Sequence, residues 1–225
     1  MDFRDSHKLD NPVWYSLSET HGKFAIDYNG IKFYNQEYCS FGGADKVYDA
    51  EAIRDYAQLT KNFFIVGEKP NLPTDLKLNK EVVCLQMVIE QPVDVPVANE
   101  IVLLTPQHTE ALYELVNLVQ PGYFMRKTAL MGNYYGIFEN GALIAVTGER
   151  MQMDALVEIS AVITHPDHTG KGYAKQLVTY AVNNIFKKNK IPYLHVVKNN
   201  VGAIKLYEKL GFVTRREISF WNIIK

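Results

Sequence analysis

Apolar residues in 49-DAEAIRDYAQLT-60 recur at three- to four-residue spacing, and Ala52, Ile53, Tyr56 and Leu59 share one face of a predicted helix. The compact apolar run 82-VVCLQMVI-89 reads as a buried strand. Between them, 69-KPNLPTDLKLNK-80 reads as a loop carrying Pro70 and Pro73. The periodicity then breaks in 91-QPVDVPVANE-100, where two prolines disfavour helix, and a domain boundary is expected near residue 98. Residues 1–98 are expected to form a mixed α/β accessory domain, and residues 99–225 a second unit.

That second unit has a distinct order of periods. 101-IVLLT-105 predicts a strand, and Thr105 can cap a helix begun by Pro106 and buried through Leu112, Leu115, Val116 and Val119. After 121-PG-122 a short helix is expected over 123–130. Two β-rich runs in 134-YYGIFENGALIAVTGER-150 flank Asn140-Gly141, a type I′ hairpin signal because both central positions need positive φ. A long apolar strand, 156-LVEISAVIT-164, precedes a glycine-bearing turn and the helix 171-KGYAKQLVTYAVNNIFKK-188. A strand at 193–197, a helix at 201–210 stopped by Gly211, and closing strand material at 212–221 complete the order. Three consecutive strands before the key helix set this apart from a Rossmann repeat.

Composition narrows the class. The 225 residues are 47% hydrophobic and 12% aromatic, which argues against disorder. No stretch reaches the roughly 20 apolar residues of a membrane span, so no membrane partner is expected. The first residues lack an apolar signal core, and Cys39 and Cys84 are too few for a disulfide framework, so a reducing, cytoplasmic setting is expected. Residues 1–98 hold 10 Lys/Arg against 15 Asp/Glu, and residues 99–225 hold 14 against 10. The positive balance of the second half suits an anionic cofactor. Lys187, Lys188 and Lys190 read as the solvated end of a helix, and no zinc-finger spacing or Arg-rich arm points to nucleic acid. His7 and His21 read as surface or packing histidines. His165 and His168 lack a third metal ligand, and no metal is expected.

Chemistry concentrates in 164-THPDHTGKGYAKQL-177, where a strand, a turn with Gly170 and Gly172 and a helix N-terminus follow one another directly. Unpaired amides at such a helix start can converge on a pyrophosphate. Taken alone, glycine-x-glycine before a helix is also an ordinary turn, and it matches neither the dinucleotide nor the P-loop spacing.

Several blocks in order, 121-PGYF-124, 148-GER-150, 158-EISAVITHP-166, 169-TGKGYA-174, 193-YLHVVKNN-200 and 203-AIKLYEKLGF-212, resemble the GCN5-related N-acetyltransferase superfamily. The resemblance is to its FR47-like branch, related to the catalytic half of glycine N-acyltransferases. It implies a mixed central β-sheet flanked by helices over residues 99–225, and transfer of an acetyl group from acetyl-CoA to a primary amine. It also implies a signature whose positions fall on Thr169, Gly172 and Ala174. Thr169 departs from the usual Gln or Arg. Gly170 and the amides of Lys171, Gly172, Tyr173 and Ala174 would bind the cofactor, and the strand at Ala161, Val162 and Ile163 would pair with the pantetheine arm. A strand amide near Val162 would face the developing oxyanion. Asn200 matches a residue near that arm, although it can equally cap the helix before Ala203.

For proton transfer the resemblance implies Glu158 as base and Tyr207 as donor to the departing sulfur. Glu158 can also point to solvent at the strand end, and Tyr207 can be a core aromatic. Glu149 can orient the acceptor, act as an alternative base, or form an ion pair with Arg150. His195 reads as a packing or locally hydrogen-bonded residue. The competing reading is a degenerate coenzyme A-binding module without turnover, and Thr169 is its motive. The expected acceptor is a small amine or amino acid shaped in part by residues 1–98, and assembly as a homodimer is compatible with all of this.

Overall fold

A computed structural model of the chain describes residues 5–28, 30–45 and 48–225. The helices are α1 (Pro12–Ser18), α2 (Ala50–Leu59), α3 (Thr109–Val119), α4 (Tyr173–Lys187) and α5 (Val201–Lys209). The strands are β1 (Ala25–Tyr28), β2 (Ile31–Tyr34), β3 (Phe41–Ala44), β4 (Asn62–Val66), β5 (Lys77–Val88) and β6 (Val102–Leu103), followed by β7 (Tyr134–Glu139), β8 (Ala142–Gln152), β9 (Leu156–Thr164), β10 (Ile191–Val197) and β11 (Val213–Ile224). No described helix is long and apolar enough to cross a membrane.

The eleven strands of the described residues form one mixed sheet, ordered β1-β2-β3-β4-β11-β5-β10-β9-β8-β7-β6. The α/β architecture and the flanking helices agree with the sequence. Asn140 and Gly141 take φ of 52° and 82°, as the β7–β8 hairpin demands. Helix α4 buries Leu177, Val178, Ala181, Val182 and Ile185 against Tyr135, Val157 and Leu194 of the sheet. This apolar face matches the period read from sequence. Helix α2 is capped by Asp49, whose carboxylate accepts from Glu51 N.

Three local expectations change. Residues 77–80, expected in a loop, extend β5, because Ile224, Ile223 and Asn222 of β11 pair with Lys77, Leu78 and Lys80. The strand expected at 101–105 shrinks to Val102–Leu103, and the helix expected at 123–130 is a 3-10 turn at Thr128–Met131. Polar alternation in 77–80 hides a strand whose hydrogen-bonding partner lies far along the chain.

The segments 1–98 and 99–225 share this sheet. Strand β5 lies between β10 and β11, and β4 pairs with β11. Residues 99–225 alone would therefore lose the strand that joins β10 to β11 and both neighbours of β11, leaving long unpaired edges. Expressed by itself, that fragment is expected to show no cooperative thermal transition. A sharp transition with native-like circular dichroism would show that it folds without β5.

Candidate active site

Strands β9 and β10 run parallel but pair only from Leu156–Ile191 to Ile159–Leu194. Beyond that point β10 continues against β5. On its other side β9 carries a bulge: Val146 faces Ile163 and Gly148 faces Ser160, so Ala161 and Val162 together oppose Thr147. Ala161 adopts φ of 50°, a conformation an alanine takes only under constraint. The bulge and the end of pairing open a cleft of about 500 Å³ between the strands. Ser160, Ala161 and Val162 line one lip, and Val197, Asn200 and Tyr207 line the other. Ile163, the third strand residue expected to pair with the pantetheine arm through its main chain, has its side chain in the core beneath α3.

Strand β9 leads directly into the turn before α4. Gly170 and Gly172 have φ of 77° and 79°, and a methyl group built on either meets nothing within 4 Å. Their conformation therefore favours glycine, while the space around them stays open. Helix α4 has no side-chain cap at its start, so the amides of its first turn (Tyr173 and Ala174 among them) remain without a capping acceptor. Thr169 is exposed, and its hydroxyl closes the local turn by donating to Pro166 O at 3.1 Å. Lys171 lies 3.7 Å from Glu139, which also accepts from the Tyr173 hydroxyl at 3.4 Å. This set places the turn residues picked from sequence around one open helix start.

Tyr207 is buried beside Phe212, and its hydroxyl makes no hydrogen bond to another described residue. Burial pushes its phenol well above the ordinary value, so it stays protonated. Asn200 caps its helix, Oδ1 accepting from Ala203 N at 3.2 Å, and the residue also lines the cleft. Cys84 lines the cleft too, but burial pushes its thiol up to about 12, which keeps the nucleophilic thiolate scarce. Cys39 is likewise buried and pushed up to about 12.

Behind the cleft lies a polar network that sequence reading did not assemble. Arg150 donates through Nε and Nη2 to the two oxygens of Glu158, each at 2.7 Å. His195 Nδ1 donates to Glu158 Oε1 at 2.8 Å, and Met151 N approaches Oε2 at 3.4 Å. Gln86 Nε2 donates to His195 Nε2 at 3.0 Å and to Leu9 O at 2.8 Å. Arg215 then donates to Gln86 Oε1 at 3.0 Å, which fixes the amide orientation and, through it, the histidine tautomer. Burial alone would raise the Glu158 carboxyl, but the Arg150 guanidinium and the His195 bond outweigh it and hold the pKa down to about 2.

This geometry revises the reading of Glu158 as general base. Its side chain is 1% exposed, its lone pairs are committed to four donors, and so low a pKa gives it little proton affinity. Its charge instead fixes Arg150 and His195. Glu149 does not pair with Arg150. It faces the α4 side, 3.1 Å from Lys188 Nζ, and its carboxylate also receives the Tyr135 hydroxyl at 3.3 Å. Alternation along β8 sends these neighbours to opposite faces of the sheet, and Glu149 does not line the cleft. Gly148, from the same block, sits where a Cβ would meet the Tyr134 ring at 2.2 Å.

The far end of the cleft draws on the N-terminal segment. Phe41, Phe64 and Cys84 join Tyr123 and Phe220 there. Phe41 contacts Phe220 and Phe64 edge-on, with centroids 5.5 and 5.8 Å apart. Phe41, Phe64 and Phe220 carried no chemical signal in the sequence, since their spacing reads only as strand and turn.

Residues 134–221 match the family model described as FR47-like protein. A 55-residue stretch is 44% identical to a spermidine N(1)-acetyltransferase from Vibrio cholerae, over 23% of this chain and 31% of that protein. The whole fold is similar to a crystal structure from Novosphingobium aromaticivorans assigned to the GNAT acetyltransferases. The TM-score is 0.83 and the identity 28%, covering 97% of this chain and 99% of that one. A GCN5-related N-acetyltransferase-like protein from Streptococcus suis shares the fold at TM-score 0.65 and 15% identity, over 97% of each chain.

Proposed function

We propose that this chain is a member of the GCN5-related N-acetyltransferase superfamily, in the FR47-like branch that residues 134–221 match, and that it transfers an acetyl group from acetyl-CoA to a primary amine by direct attack in a ternary complex. The observation that carries this reading is the splay of β9 from β10, with the Ala161 bulge on one lip and Tyr207 on the other. The residues fit a coenzyme A thioester. An open, uncapped helix start suits a pyrophosphate, and an unpaired strand edge suits the amide-bearing pantetheine arm. When bound, the thioester supplies an activated carbonyl.

The chain's own groups then divide the work. Amides of Gly170 to Ala174 hold the pyrophosphate, and the strand at 160–163 aligns the arm. An amide at the Ala161–Val162 bulge donates to the carbonyl oxygen as negative charge develops there. The amine nitrogen forms the new C–N bond as the C–S bond breaks. Tyr207 gives its proton to the leaving sulfur, and the proton shed by the amine returns through water to the phenolate. The buried, protonated thiols of Cys39 and Cys84 support direct attack over an acyl-enzyme.

A matched pair of substitutions tests the placement of the donor. Asn and Asp both tolerate left-handed backbone, and a side chain at Gly172 has open space, so Gly172→Asn and Gly172→Asp should both fold. Only the aspartate adds negative charge at the phosphate cradle. Calorimetry should show acetyl-CoA binding weaker in Gly172→Asp than in Gly172→Asn by on the order of tenfold or more. Equal affinities would move the pyrophosphate away from this turn. Tight binding without release of free coenzyme A, across a broad amine panel, would instead indicate a module that binds the donor without turnover.

A further inference from the structure

The acceptor end of the cleft has a chemistry of its own. Among its lining residues there is no aspartate or glutamate, and the single full charge is Arg150. Glu158, its counter-charge, is withdrawn behind it: the arginine side chain is 17% exposed and the glutamate side chain 1%. A guanidinium has five N–H donors, and Glu158 uses Nε and one hydrogen of Nη2. The end-on edge formed by Nη1 and the second Nη2 hydrogen has no hydrogen-bond partner among the described residues. That edge has the spacing of a carboxylate. The guanidinium cannot swing away, because Glu158 grips one side and its Cζ stacks 4.8 Å from the Phe41 ring centroid.

Around this fork the walls are aromatic. Phe41, Phe64, Phe220 and Tyr123 form a contiguous cluster, with Tyr123 stacked on Phe64 at 5.6 Å. Building on the acyl-transfer reading above, we propose that the acceptor is an amine that also bears a carboxylate and an apolar side chain, the chemistry of a hydrophobic α-amino acid. Arg150 receives the carboxylate, the aromatic walls receive the side chain, and the amine is left toward the Ala161–Tyr207 lips. A polyamine would meet a fixed cation and no carboxylate.

Binding and turnover are measured separately, with full-length protein saturated with coenzyme A for calorimetry and with acetyl-CoA for kinetics. The probes are two matched pairs, L-phenylalanine with 2-phenylethylamine and L-leucine with isoamylamine, plus spermidine, compared at equal free-amine concentration. A two-bond, charge-assisted contact predicts that each amino acid binds about 10–100-fold more tightly than its decarboxylated partner. Arg150→Lys keeps a positive charge beside Glu158 but cannot serve two carboxylates as a fork. It should abolish most of that ratio while affecting the simple amines little. Equal affinity within each pair, failure of both members to bind, or preference for spermidine would overturn the proposal. So would an unchanged ratio in Arg150→Lys. If amino acids bind as expected but none is acetylated, the carboxylate site stands and the acyl-transfer reading fails.

Discussion

Tyr207→Phe is expected to lower kcat by about 10²–10⁴-fold while leaving acetyl-CoA affinity nearly unchanged. Phenylalanine keeps the ring packed edge-on against Phe212, 5.9 Å away, so the substitution removes little beyond the phenolic proton. Burial raises the phenol's pKa, and the acid form therefore persists through neutral and mildly alkaline pH. The defect should accordingly be flat across that range, because no pH change returns a proton donor to the sulfur. Single-turnover kinetics with donor affinity measured in parallel would separate a chemical defect from one masked by slow product release. Wild-type single-turnover rates in Tyr207→Phe would leave the residue as a packed core aromatic.

For Glu158→Gln the expected loss is mainly structural, about 3–5 kcal/mol of stability, because a buried guanidinium is left without its counter-charge. The pH dependence carries a definite sign. Burial opposes ionisation of Glu158, but Arg150 and His195 bring its folded pKa to about 2, below the ordinary 4.5. A depressed carboxyl contributes stability that is complete above the unfolded value and lost as pH falls through the folded one. Wild-type stability should therefore decline between about 4.5 and about 2, and the part due to Glu158 should be missing in the variant. Chemical denaturation at stepped pH measures this directly. Kinetics supply the second reading: if Glu158 only positions Arg150 and His195, raising the pH should not restore kcat/KM in the variant. Undiminished stability combined with recovery at alkaline pH would reinstate Glu158 as the base.

Both predictions concern residues that were visible in the sequence, but for different reasons. Tyr207 lies in a continuous block ending at Gly211, whose φ of 96° closes α5, so local pattern alone placed it on a helix. The strand 156–164, the turn at Gly170 and Gly172 and the start of α4 were likewise legible. Each is encoded by neighbours within a few residues, through strand alternation, positive-φ positions and helical period. The same holds for the β7–β8 hairpin, announced by Asn140-Gly141. Glu158 was equally visible as a lone carboxylate in an apolar run, but its role was not, since its partners Arg150 and His195 are 8 and 37 positions away.

What the chain pattern could not express is which strands lie side by side. Backbone hydrogen bonding carries no sequence label, so the insertion of β5 between β10 and β11 left no trace in 77–80 beyond polar alternation. That insertion brings Gln86 to His195, and Arg215 to Gln86, completing the network that fixes the imidazole. It also carries Cys84 to the cleft, while β3 and β4 bring Phe41 and Phe64 to its far end. Local periods therefore defined the proposed donor side, where one strand, one turn and one helix follow in order. The proposed acceptor side was decided only by tertiary structure, because its arginine and most of its aromatic walls come from separate strands, and only sheet pairing and the burial of charge beside counter-charge bring them together.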